Sequence, residues 1–106
     1  MRRGEVWRAE LPEPWGSRPV LLLSRDEAYD LLSRVVVAPL TTRIRRTASV
    51  VMVTPDGDGV PERSIVNLDN VHSVPKGLLV SLLAELNDER MLQVEAALHF
   101  ALDLRT

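Results

Sequence analysis

The sequence has no cysteine among its 106 residues, which removes a disulfide framework and thiolate metal sites from consideration. Its histidines, His72 and His99, stand alone without a third ligand at metal spacing, so no metal centre is expected and both read as structural side chains. No apolar run approaches the roughly 18 residues of a membrane span, and residues 1–11 alternate and carry acids where a signal peptide would place an apolar core. No membrane association and a cytoplasmic location are therefore expected. Positive charge is not in excess either. Thirteen basic residues against fifteen acidic ones give a formal net charge of −2, which excludes a domain that coats nucleic acid indiscriminately and confines any such contact to a local patch. The Walker loop, the dinucleotide glycine fingerprint and the nucleophile elbow are all missing.

What is present fits one globular domain over residues 1–106, with 45% hydrophobic and 26% charged residues, short enough that a partner subunit adds useful burial. All basic residues but Lys76 are arginine, a bias that suits bidentate phosphate contacts and that arginine-rich codon usage produces equally.

Glu5 to Leu11 alternates as a half-buried strand, with Trp7, Ala9 and Leu11 on one face and Val6, Arg8 and Glu10 on the other. Pro12 to Ser17 is a turn-rich connector, and the continuous apolar run Val20 to Leu23 reads as a central strand. A short helical stretch is expected over Asp26 to Leu32. Val35 to Leu40 and Ala48 to Thr54 are valine-rich strands joined by the basic connector Arg43-Ile44-Arg45-Arg46. Asp56-Gly57-Asp58-Gly59 is similar to a fragment of a calcium loop, but Glu62 comes too early and further ligands are missing, so a hairpin turn is expected there. Ser64 to Leu68 and Asn70 to Val74 read as short strands, and Val80 to Leu86 as strand or helix. From Asn87 onward the signals are helical: an N-cap, acids in the first turn, and Met91, Val94, Leu98, Ala101 and Leu102 on one face. Leu92, Ala96 and Phe100 form a second stripe that a dimer can cover, or that packs at the core's edge. Together these elements predict an α+β chain, mainly β with helices: a small, bent antiparallel sheet or barrel with a C-terminal helix packed on it.

Two places put polar chemistry at the end of a buried strand. Arg18 precedes a proline, so its backbone is biased to the extended region and its side chain leaves the connector in a preset direction. Pro39 cannot donate to a ladder and marks an edge or a bulge, which re-aims Leu40, Thr41 and Thr42. Taken singly, Arg18 also reads as a surface arginine closing a loop, and Thr41 as an ordinary strand threonine. Arg43 and Arg45 share one side of an extended chain and can follow a phosphate backbone, or simply belong to a solvated connector. Trp15, in its loop, can stack on an unpaired base or fold back on its own domain.

Four segments together resemble the MazF/PemK family of toxins from toxin–antitoxin pairs: Arg3-Gly4-Glu5-Val6-Trp7, Arg18-Pro19-Val20-Leu21-Leu22-Leu23, Val37-Ala38-Pro39-Leu40-Thr41-Thr42, and Ser64 to Val71 with Ser73-Val74. The resemblance implies an SH3-like barrel with a C-terminal helix, a homodimer, and a ribosome-independent endoribonuclease that cuts single-stranded RNA without metal or cofactor. It implies Arg18 and Thr41 as the catalytic pair and a cognate antitoxin as protein partner. Trp15, Ser17, Thr42, Arg43 and Arg45 are the candidate RNA contacts. The first loop departs from the family pattern, with only Pro12 to Ser17 where a longer glycine-rich stretch is common. A related toxin group, the CcdB-like gyrase poisons, acts by protein binding instead, but the tail Asp103-Leu104-Arg105-Thr106 lacks that group's aromatic-glycine-aliphatic ending. A catalytically inert binding module of the same fold is the remaining alternative.

Overall fold

The alternating and apolar runs become seven strands in the computed structural model, which describes residues 1–104. In chain order they are β1 (Glu5–Glu10), β2 (Ser17–Leu22), β3 (Arg34–Thr41), β4 (Val50–Val53), β5 (Ser64–Asn67), β6 (His72–Pro75) and β7 (Leu79–Glu85). The helices are α1 (Ala28–Leu31), α2 (Pro55–Asp58) and α3 (Asp88–Leu102). Strand order is β4-β5-β3-β2-β1-β7, with β6 also paired to β3, and all ladders are antiparallel. Among the described residues no ladder joins β4 to β7, so the sheet is bent and open. Arg105 and Thr106, part of the tail that separates this chain from the CcdB-like ending, lie outside the described residues.

The continuous run Val20–Leu23 is apolar because both of its faces are covered. Val20 and Leu22 enter one core with Ala9, Val35, Val37 and Val74, while Leu21 and Leu23 enter the other with Val6, Ala38, Val66 and the helix residues Val94 and Ala97. Full burial of each such valine or leucine contributes about 1.5–3 kcal/mol.

Strand β3 is where the sheet bends. Its first half, Arg34 to Val37, pairs with β6, and its last residues, Leu40 and Thr41, pair with β5. Between the two partners lies Pro39, whose missing N–H therefore costs no bond on that side. The expectation of an edge or bulge thus resolves into a change of partner within an interior strand.

Helix α3 starts as expected, with Asn87 Oδ1 accepting from Arg90 N at 2.8 Å. Met91, Val94, Leu98 and Ala101 pack on the sheet together with Ala97. Leu102 does not join them and is 53% exposed, because the helix ends there in a left-handed Asp103. The stripe Leu92, Ala96, Phe100 is exposed.

The segment read as a hairpin turn is instead a helical turn, α2. Thr54 caps it by accepting from Gly57 N at 3.0 Å, Pro55 occupies its first position, and Gly59 closes it at φ 76°. Those are helix start and stop signals compressed into six residues. The turn presents Asp58, buried, to Arg90 of α3 at 2.9 Å.

Tyr29, the sole tyrosine, is buried on the core side of α1 and donates to Ser24 O at 3.0 Å. Burial, reinforced by the nearby Asp26 carboxylate, pushes its phenol from 10.0 to about 12. An ultraviolet titration should show the phenolate only near that value. The folded form holds the proton more tightly, so up to about 3 kcal/mol of stability is present below pH 10 and is lost as pH rises to about 12.

Candidate active site

The β2–β3 ladder pairs Leu22 with Val37, Leu21 with Ala38 and Val20 with Pro39. Continuing that register by two residues brings Arg18 opposite Thr41, past the end of the recorded pairs. Strand side chains alternate between faces, so the two belong to the same face. The separating strand ends open a cleft of about 270 Å³ lined by Arg18, Thr41, Ser17, Thr42, Pro19 and Leu40, with Arg8 from β1 and Pro61, Glu62 and Ser64 from the segment entering β5.

Four of the polar side chains in this cleft have part of their hydrogen-bonding capacity already spoken for. Arg18 Nε donates to the Trp15 carbonyl at 3.1 Å, leaving the Nη edge of the fork unused. Thr41 Oγ1 accepts from Arg43 N at 3.1 Å, so its own proton is available to donate. Ser17 Oγ donates to Glu10 Oε1 at 3.2 Å, and Ser64 Oγ to the Glu62 carbonyl at 2.9 Å. Trp15 lies over the guanidinium of Arg18, with the Arg18 Cζ 5.7 Å from its ring centroid, and stacks on His72.

Of the candidate RNA contacts, Ser17 and Thr42 line the cleft beside the pair. Trp15 lies next to it, in contact with Arg18, on the wall of a second depression of about 390 Å³. Arg43 is exposed on the connector and touches the site only through its backbone. Arg45 is drawn elsewhere, its Nη2 bonded to Asn67 Oδ1 at 2.9 Å and paired with Asp69 at 3.7 Å, above a separate depression of about 430 Å³.

Arg8 and Glu62 were not singled out for this site by the sequence. Alternation had placed a charge in the middle of β1, a strand flanked on both sides by β2 and β7, and that is the signal that could have found Arg8. Neither Arg8 nor Arg18 makes an ion pair among the described residues, whereas Arg2, Arg3, Arg25, Arg45 and Arg90 all do. An acidic chain therefore gathers two guanidinium groups without ion pairs, against the single carboxylate of Glu62, in one concave surface, where the net positive charge attracts an anion. Among the described residues no group of histidine, aspartate and glutamate is arranged to hold a metal ion, and no helix is long and apolar enough to cross a membrane.

The family model for the PemK-like, MazF-like toxin of type II toxin–antitoxin systems matches residues 2–102. The chain belongs to this toxin family. It is 50% identical over 101 residues to the probable endoribonuclease MazF5 of Mycobacterium tuberculosis, covering 95% of this chain and 92% of that protein. It is 38% identical to the probable endoribonuclease MazF2 of the same species, over 86% of this chain and 87% of the relative. A solved structure, an endoribonuclease in complex with its cognate antitoxin from a mycobacterial species, superposes with a TM-score of 0.86 at 29% identity, covering 100% of this chain and 98% of that one. The family match thus spans both strands that carry the cleft and the helix packed behind them.

Proposed function

We propose that this member of the toxin family is a sequence-specific, ribosome-independent and metal-independent endoribonuclease of single-stranded RNA, working in the cytoplasm as a homodimer and neutralised by a cognate antitoxin. The observation that supports the reading is that Arg18 and Thr41 line one cleft together with Arg8, and that neither arginine is held in an ion pair among the described residues. The likeness to endoribonucleases supports it.

The resemblance to the toxin family implies the reaction, and the hydrogen-bonding groups left free in the cleft suit it. The RNA's own 2′-hydroxyl attacks the adjacent phosphorus, the bond to the 5′-oxygen breaks, and the products carry a 2′,3′-cyclic phosphate and a 5′-hydroxyl. Negative charge grows on the non-bridging oxygens during the attack. The Nη edge of Arg18 meets two such oxygens as a planar fork, and the Thr41 hydroxyl, its lone pair held by Arg43 N–H, donates to one of them. An arginine does not exchange protons at neutral pH, so its contribution is electrostatic. Arg8 adds a second cation for the phosphodiester backbone, with Ser17 and Thr42 as neighbouring polar contacts and Arg43 as a charge on the approaching connector. Arg45 is already neutralised by Asp69 and contributes least to RNA binding.

An antitoxin with an acidic segment can occupy the same arginine-lined cleft and block it. Exposed Val80 and Leu82 on the outer strand β7, and Leu92 and Phe100 on α3, supply apolar surface for a second subunit.

Incubation of purified protein with end-labelled single-stranded RNA in EDTA tests the assignment. The expected products end in 2′,3′-cyclic phosphate and 5′-hydroxyl. DNA of the same sequence, and RNA bearing a 2′-O-methyl group at the cleaved nucleotide, stay intact because the nucleophile is missing. Cleavage of the methylated substrate would refute the mechanism. A folded protein that cuts no RNA would point to protein binding as its action.

A further inference from the structure

Trp15 is a large apolar side chain left 41% exposed at the tip of the β1–β2 loop, and its contacts account for its position. The loop is tied across itself by Leu11 N to Gly16 O at 3.1 Å and Trp15 N to Pro12 O at 3.0 Å. From this frame Trp15 reaches the same guanidinium twice. Its carbonyl accepts from Arg18 Nε at 3.1 Å, and its ring centroid lies 5.7 Å from Arg18 Cζ. The ring is in turn stacked on His72, with centroids 5.9 Å apart and planes inclined by 24°. His72 belongs to β6, faces Val37 across the ladder, and has its Nδ1 fixed 2.9 Å from Asn70 O.

A guanidinium is planar, so holding its Nε by a hydrogen bond and its face by an aromatic ring leaves little freedom for its remaining edge. We propose that Trp15, backed by His72, is a positioning residue that fixes Arg18 with its Nη edge turned to the cleft before RNA arrives. This rests on the assignment of Arg18 given above. It also gives Trp15 a different role from base stacking, since the ring already spends its π surface on His72 and on the cation. The brace connects β6 to β2 through the loop, so the geometry of one catalytic side chain is set by a strand that does not line the cleft.

A double-mutant cycle on RNA cleavage tests this. Misplacing a catalytic group by about 1 Å costs up to roughly 10²-fold, so Trp15→Ala is expected to lower kcat by about 10- to 100-fold while KM stays nearly constant. In an Arg18→Ala background the same change should cost no more than about two-fold, the scatter expected of independent sites. His72→Ala is expected to lower kcat, and His72→Phe, which restores a ring beneath Trp15, to recover it. A second measurement reads the ring's effect on a guanidinium that is no longer tethered to the chain. Free guanidinium ion should partly restore Arg18→Ala, and adding Trp15→Phe, which keeps a ring, should preserve that rescue better than Trp15→Ala. A Trp15→Ala loss that appears in KM, or that persists in full without Arg18, would overturn the brace and leave the reading of Arg18 standing. If Arg18→Ala alone cleaves normally, the site assignment fails first and the brace with it.

Discussion

Arg18→Ala should lower kcat/KM for RNA cleavage by about 10²–10³, the usual loss when a donor aimed at developing charge is removed. The side chain sits at the start of β2, ahead of the fully buried Val20, Leu21 and Leu22, so the substitution leaves the core intact. The loss is expected mainly in kcat, because the charge that Arg18 meets is larger in the transition state than in the bound substrate. Arg18→Lys should recover only part of it, since an ammonium lacks the planar fork. Thr41→Val keeps the shape and removes the donor, and a smaller loss in the same parameter is expected, with Thr41→Ser closer to wild type. Single-turnover cleavage of a defined RNA measures all four variants. Unchanged cleavage by folded Thr41→Val protein would take Thr41 out of the site.

The second large effect is on stability. Arg90→Met should destabilise the fold by about 3 kcal/mol, read from the urea midpoint at unchanged slope. The Asp58 side chain is only 2% exposed, and its carboxylate accepts from Arg90 Nε at 2.9 Å, Arg90 Nη2 at 3.4 Å and Thr54 N at 2.8 Å. Without Arg90 a buried negative charge keeps a single backbone donor. The Arg90 side chain is 28% exposed, and solvent screening on that side keeps the expected loss at the lower end of the range for buried pairs, about 3–5 kcal/mol. Asp58→Asn combined with Arg90→Met removes the stranded charge and should recover much of the loss. If Arg90→Met alone unfolds at the wild-type midpoint, the pair contributes nothing to stability.

Much of this architecture was legible from residue patterns because the patterns had single physical causes. Val20 to Leu23 read as a central strand, and Asn87 with the acids after it as the start of a helix, and both are found. The Arg-Pro and Ala-Pro-Leu-Thr segments placed two polar groups at strand ends, and the antiparallel pairing of β2 with β3 puts those ends beside one cleft. What was not legible depended on distant partners. Leu102 fits the apolar face of α3, yet the helix ends there and leaves it exposed. The segment Pro55 to Gly59 carries turn residues that also serve as helix start and stop signals, and the contact of Asp58 with Arg90 is visible only in the fold. Arg45 sits in a basic run with Arg43, and only the fold reveals that Asn67 and Asp69 hold it. Arg8 looked like an ordinary solvent-facing strand charge until β2 and the segment before β5 closed a cleft around it.

The change of partner along β3 has a consequence for the pair it helps to carry. Arg18 stands on a strand held by the β1–β7 side of the molecule, whereas Thr41 belongs to the portion bound to β5. The two proposed site groups therefore stand on either side of a seam between two sections of sheet. A substitution that tilts one section against the other, far from the cleft, is expected to lower turnover without touching either side chain.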